Sequence, residues 1–414
     1  MILPAGNCHS DWQCLHYSYM TNSFELSLEV QVVKNDGQGS SNVSVERWVP
    51  GPLNKQDNST NKTYTFADMA EIADEDWIRP IPRSVFLLYP QALDMIQVVD
   101  DIRKFRPIPE APVFNQTIRF LKVSSTVCVP DEAVHRPLDA IVVIKSAVYN
   151  FADRERVRRA YAEEARREPA FHMAMVFSLG LPRSSGGRFF QRDGINISLP
   201  GRVGTSLEQM QSRRLEVLRN LTEEAQRHGD LLLGDYEDTY YNLSLKLFHT
   251  FQWASRFCRG HLKYQPQRPP VFIFLDDDYA FNASRLKAEL DAFSDAQIRR
   301  VVLGSPMQAS KVYRPHIHPG MEKWIVSKRQ VPWPHFAPYC SGAFFVLGAD
   351  VVQEIALTMY FTVQIPVDDA WLGLVMTKLD LHVQRLPHMH ILRPSADEKD
   401  LVLFAPFDYL FGGH

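Results

Sequence analysis

The 414-residue chain contains no run of about 18 consecutive apolar residues, so no segment of it reads as a membrane-spanning helix. Residues 1–20 lack the basic start and apolar middle of a secretory leader. There is no Lys/Arg run, and 45 basic against 48 acidic residues leave a net charge of −3, which argues against a polyanion-binding surface and a nucleic-acid partner. Cysteine is scarce. Cys8, Cys14, Cys128, Cys258 and Cys340 are too scattered for a zinc finger and too few for a disulfide-built scaffold. No internal repeat is present. What remains is a chain that is 45% hydrophobic and 22% charged, long enough to bury a large globular core.

Eight Asn-x-Ser/Thr sequons are present, at Asn42, Asn58, Asn61, Asn115, Asn196, Asn220, Asn242 and Asn282, a density that favours the secretory lumen. Asn242 and Asn282 sit beside expected core elements. The sequons conflict with the missing leader, and an N-terminal segment absent from this sequence is the simplest reconciliation. Residues 1–112 read as a variable stem or accessory region, with a polar Asn/Ser/Gly-rich stretch from Lys34 to Thr63 followed by a Pro-punctuated one. Residues 113–414 read as the main domain. There, strand patterns at 138–144, 174–179, 230–233, 271–275 and 343–347 alternate with helical patterns at 153–167, 206–227, 240–258 and 367–379. This alternation predicts an α/β fold with a parallel or mixed sheet. Residues 183–188 and 201–205 read as loops.

The strand pattern Val271-Phe272-Ile273-Phe274-Leu275 runs directly into Asp276-Asp277-Asp278. A buried strand with this ending delivers like charges to the rim of a sheet, where they raise one another's pKa unless neutralised. Two readings are open: a divalent cation held by carboxylate oxygens, or an acidic turn solvated at the surface. A second acidic pair, Asp368-Asp369, falls in the first turn of the helix at 367–379, whose apolar side follows Trp371, Val375 and Leu379. Acids in a first turn also complement the helix dipole with no further role.

These segments recur in order with Ile144-Lys145-Ser146, Phe151-Ala152-Asp153-Arg154, Val157-Arg158-Arg159-Ala160-Tyr161, Asp238-Thr239-Tyr240-Tyr241-Asn242-Leu243-Ser244-Leu245-Lys246, Lys323-Trp324 and Pro338-Tyr339-Cys340-Ser341-Gly342. Together they resemble the β-1,3-glycosyltransferase family of metazoan Golgi enzymes, the galactosyl- and N-acetylglucosaminyltransferases, and most of all its Brainiac-like branch. The similarity spans about residues 113–394. Tyr161-Ala162 departs from the family's Trp-Gly, and the C-terminal tail departs as well.

The resemblance implies a GT-A nucleotide-sugar-binding fold, a mixed sheet flanked by helices, using Mn2+ and a UDP-sugar donor. The acceptor would be a glycan on a glycoprotein or glycolipid. It also implies a type II membrane protein facing the Golgi lumen, whose anchor is not visible in this sequence. By this resemblance Asp278 is the principal metal ligand, Asp276 a supporting metal or ribose contact, and Asp277 lies at the nucleotide's sugar side. Lys145 and Arg158 would sit near the nucleotide, their other reading being a strand-end lysine and a solvated helix face. Asp369 is the expected base for inverting transfer, with Asp368 second. His388 or His390 would complete the metal site unless Arg385 takes that place, and surface histidines are the other reading. A non-catalytic luminal glycan-binding relative is the alternative function.

Overall fold

The computed structural model describes residues 66–87, 92–129, 137–260, 265–315, 321–389 and 403–406. Within them an eight-stranded sheet runs in the order β1 (Phe120–Lys122), β6 (Leu231–Glu237), β3 (Met173–Leu181), β2 (Ala140–Lys145), β7 (Val271–Asp276), β10 (Tyr339–Leu347), β9 (Val302–Met307), β11 (Gln384–Arg385). β2 pairs in parallel with both β3 and β7, whereas β10 lies antiparallel between β7 and β9. The register sets Lys145 beside Asp276.

β2 and β7 are apolar at nearly every position because both faces of this sheet are covered, so each alternate residue enters a different core. Ile141, Val143, Phe272 and Phe274 face a layer made by the helices Leu243–Phe257, Ala349–Thr358 and Asp368–Lys378. Val142, Ile144, Ile273 and Leu275 face the other layer, from the helices Phe151–Arg167, Gly201–Ser212, Arg214–His228 and Ala283–Asp291. Phe274 is stacked between Phe251 and Phe345, each ring centroid 4.9 Å away. This is the mixed α/β sheet flanked by helices that a GT-A-like fold requires.

Three expectations of secondary structure shift. The expected helix 206–227 is two helices that break at Arg213, and the expected loop 201–205 is the first turn of the earlier one. The expected helix 240–258 begins with a 3-10 turn, Tyr240–Asn242, before its α-helix. The core also runs across residue 112, because Met69, Trp77, Val85, Phe86, Met95 and Val99 join the cluster that holds Trp333 and Trp371. Cys128 and Cys258 form a disulfide, and Cys340 is a buried free thiol. Cys8 and Cys14 lie outside the described residues, as do Asn42, Asn58, Asn61 and His390.

Candidate active site

β2 and β7 are parallel neighbours, so both end at the same edge of the sheet. Lys145 and Asp276, the last residues of each, have side chains on the same face. The helix Asp368–Lys378 begins over that face. Lys145 Nζ lies 3.1 Å from Asp276 Oδ1 and 3.1 Å from Asp368 Oδ2. Burial disfavours its charge most strongly among the influences on it, but the two carboxylates outweigh burial and hold the ammonium above its ordinary value. Four stretches of chain far apart in sequence thus converge on one ammonium group, counting Gly342 of β10, where an added Cβ would lie 3.4 Å from Lys145 Nζ.

Asp369 lies on the same floor in a different environment. Its Oδ1 accepts from the Ala370 amide at 2.8 Å and its Oδ2 from the Gly342 amide at 3.3 Å. Burial and the charge of Asp368 push its carboxyl up to about 7, against the pull of Lys145 and the two amides. Burial also raises Asp276, which Lys145 opposes and Asp278 and Asp368 reinforce. Tyr240 faces the group from the side. Burial first, then the charges of Asp368, Asp369 and Asp276, hold its hydroxyl far above its ordinary value.

Asp277 points the other way. Its Oδ2 accepts from Ser146 Oγ at 2.6 Å and from Asn150 Nδ2 at 2.9 Å, while its amide donates to the Lys145 carbonyl. Its carboxylate is therefore engaged by the β2-to-helix junction. Arg158 also stands apart from the expected place. Its guanidinium donates to Asp230 and Glu224, and it lies over the Phe177 ring. It reaches the site only through a relay. Glu224 also takes both ends of the fully buried Arg154, whose Nη1 donates to Ser146 Oγ and the Ala147 carbonyl.

Ser146, Arg154, Tyr240, Lys246 and Gly342 carry work that their place in the sequence motifs does not reveal. Lys246 shows what that work is. Its buried ammonium pairs with Asp238 at 2.6 Å and donates to the Ser146 carbonyl, while Asp238 accepts from the Gly180 amide, so the ends of β2 and β3 are tied together. The signal was a lysine inside an apolar helical pattern, which demands a buried acid for a partner.

Asp278 is exposed and pairs with no cation among the described residues. His388 is exposed after β11, with a φ of 52°. Among the described residues no three His, Cys, Asp or Glu side chains converge as a complete metal cage. A hard divalent ion that arrives with a diphosphate needs only one or two protein carboxylates, however. Asp276 and Asp278, the second near enough for its charge to raise the first, carry oxygen donors of the chemical type such an ion takes.

Residues 207–387, which hold Asp276, Asp278, Gly342, Asp368 and Asp369, match the family model described as Galactosyltransferase. This segment is a galactosyltransferase-family domain. Relatives of the domain include β-1,3-galactosyltransferase 5 of Homo sapiens, 27% identical over 45% of this chain and 56% of its own length. β-1,3-Galactosyltransferase brn of Drosophila melanogaster is 26% identical over 63% of this chain and 67% of its own. UDP-GlcNAc:betaGal β-1,3-N-acetylglucosaminyltransferase 9 of Bos taurus is 27% identical over 65% and 60%. The chain spans about half the length of the β-1,3-galactosyltransferase 5 relatives it matches, 51% to 56%. Both galactosyl and N-acetylglucosaminyl transferases are therefore among the proteins the domain is similar to.

Proposed function

We propose that the chain is an inverting β-1,3-glycosyltransferase that moves galactose or N-acetylglucosamine from UDP to a hydroxyl of a glycan carried by a glycoprotein or glycolipid. The observation that carries this reading is Asp369, a half-buried carboxylate poised near neutrality at the sheet end where Asp276 and Lys145 also meet. Asp369 takes the proton of the acceptor hydroxyl as that oxygen bonds to the anomeric carbon. The bond from that carbon to the UDP oxygen breaks, its electron pair leaving with UDP, and attack from the opposite face inverts the configuration. Lys145 fixes Asp368 and Asp276, and among the described residues Asp369 has no cation at hydrogen-bond distance. Asp278 and Asp276 would hold Mn2+, which when bound supplies positive charge against the departing diphosphate. Asp277 and Arg158 serve the scaffold beneath, through Ser146, Asn150 and Glu224.

A Golgi lumen location accords with the Cys128–Cys258 disulfide, which persists in an oxidising compartment, and with exposed sequon residues Asn115, Asn196 and Asn220. The test is UDP release by the purified chain with each UDP-sugar, with and without Mn2+ and acceptor. One observation favours the alternative of a glycan-binding relative without catalysis: Asp276 already has an ammonium partner in Lys145. Glycan binding with no UDP release from any donor would establish that alternative.

A further inference from the structure

Beside the carboxylates stands a group of rings and cations that the transfer step leaves unused. Lys323 Nζ lies 4.0 Å from the Trp324 ring centroid and 5.5 Å from that of Tyr240. Tyr240 and Tyr241 are 6.4 Å apart, and Tyr241 packs on Phe190 of the hairpin formed by β4 (Phe189–Arg192) and β5 (Ile195–Ser198), centroids 4.1 Å apart. Arg192 lies over Tyr241 at 4.9 Å and donates to the Ile325 carbonyl. All of these side chains are partly buried and none is closed off.

The charge of Lys323 is unaccounted for. No carboxylate lies in ion-pair range of it among the described residues, and burial alone pushes its ammonium down. Burial pushes Arg192 down as well, against Tyr241 and Asp193. A half-desolvated ammonium on two ring faces recovers only part of its hydration through the rings. A ligand anion would restore the rest. Tyr240 divides the two charge fields, because its hydroxyl feels Asp368, Asp369 and Asp276 while its ring is shared with Lys323.

We propose that Lys323, Trp324, Tyr240 and Arg192 form a subsite for an acceptor sugar that bears a negative substituent, a sulfate ester or a carboxylate. The inference rests on the transfer reading of the site. The pyranose lies with its C–H face on the rings, one hydroxyl toward Asp369 and the anion toward Lys323. Selectivity for charged over neutral acceptors then comes from Lys323 and not from the catalytic carboxylates.

The experiment measures calorimetric binding of three disaccharides to the full chain: N-acetyllactosamine ending in galactose, in galactose 6-sulfate, or in galacturonate. The wild type binds at least one charged form about threefold to tenfold tighter at low salt, the scale of one partly desolvated ion pair. Which charged form wins separates sulfate from carboxylate recognition. Lys323→Met abolishes the preference with neutral binding and UDP affinity unchanged, and Lys323→Arg retains it. No preference in the wild type, a preference surviving Lys323→Met, its loss in Lys323→Arg, or a fall in UDP affinity in Lys323→Met would each overturn the proposal. Binding is read without turnover, so a chain that transfers to neutral acceptors yet shows no preference defeats this inference alone. A charge preference with no UDP release from any donor defeats the transfer reading alone.

Discussion

Asp368 and Asp369 adjoin in sequence, yet the fold gives them different partners, an ammonium for one and two backbone amides for the other. Asp369→Asn should therefore cut kcat by on the order of a hundredfold or more, the usual scale for a lost general base, with UDP affinity nearly unchanged. Asp368→Asn removes a partner of Lys145 and should lower stability in a melting curve more than Asp369→Asn does. The pH profile follows from the same geometry. A base raised to about 7 makes kcat/KM fall about tenfold per pH unit below that value and level off above it. Stability runs the opposite way. The folded ligand-free chain holds this proton more tightly than the unfolded one, whose carboxyl titrates near 3.8, so the contribution is full below about 4 and lost as pH rises through 7. Titrating the melting temperature between pH 4 and 8 checks the sign. At this scale the sequence was legible where a strand end or helix start fixes the direction of a side chain, as for Lys145, Asp276 and the Asp368-Asp369 pair. It was not legible for Asp277, which strand alternation sends to the other face, nor for Arg158, whose hydrogen-bond partners Glu224 and Asp230 lie 66 and 72 residues away.

Among elements, the helix Phe151–Arg167 looks basic and solvent-facing in sequence, but Arg154 is fully buried and ties that helix to Glu224 and to the turn carrying Ser146. Arg154→Met leaves Glu224 with one partner fewer in a buried place and should cost about 3–5 kcal/mol in denaturant unfolding. Glu224→Gln is expected to be milder, since its amide still accepts from either arginine. β2, β3, β6, β7 and the helix Asp368–Lys378 were readable from their patterns because burial on both faces, or on every side of a helix, leaves unbroken apolar runs. β9 and the hairpin of β4 and β5 were not. β9 is interrupted by Gly304-Ser305-Pro306, and the hairpin is half-exposed, so neither carries a long apolar run.

In the whole molecule, the Cys128–Cys258 bridge closes a loop with a sequence separation of 130. Replacing both cysteines with serine should cost roughly 4–5 kcal/mol by loop-closure entropy, read as a lower denaturant midpoint. A chain beginning at residue 113 should fare worse. It would strip Trp77, Val85, Phe86 and Met95 from the cluster around Trp333 and Trp371, and we expect it to be recovered in aggregates while the longer chain stays in solution. The reading of residues 1–112 as a variable stem or accessory region rests on composition, which reports local polarity and says nothing of what the apolar residues of 66–112 touch.

The meeting of Lys145 with Asp368 also has a bearing on time. These partners stand 223 residues apart, and they meet at a sheet edge completed only when β7 has inserted beside β2 and β10 beside β7, both late in the chain. Contacts of such separation close slowly and come after the local ones. A nascent chain growing from its N-terminus thus carries Lys145 as a lone cation, and then Asp276 as its single counter-charge, long before the helix Asp368–Lys378 emerges with Asp368 and Asp369. The two carboxylates at the helix start arrive last, so a chain stalled or cleaved ahead of residue 368 has most of its sheet and lacks Asp369, the residue on which the proposed transfer rests.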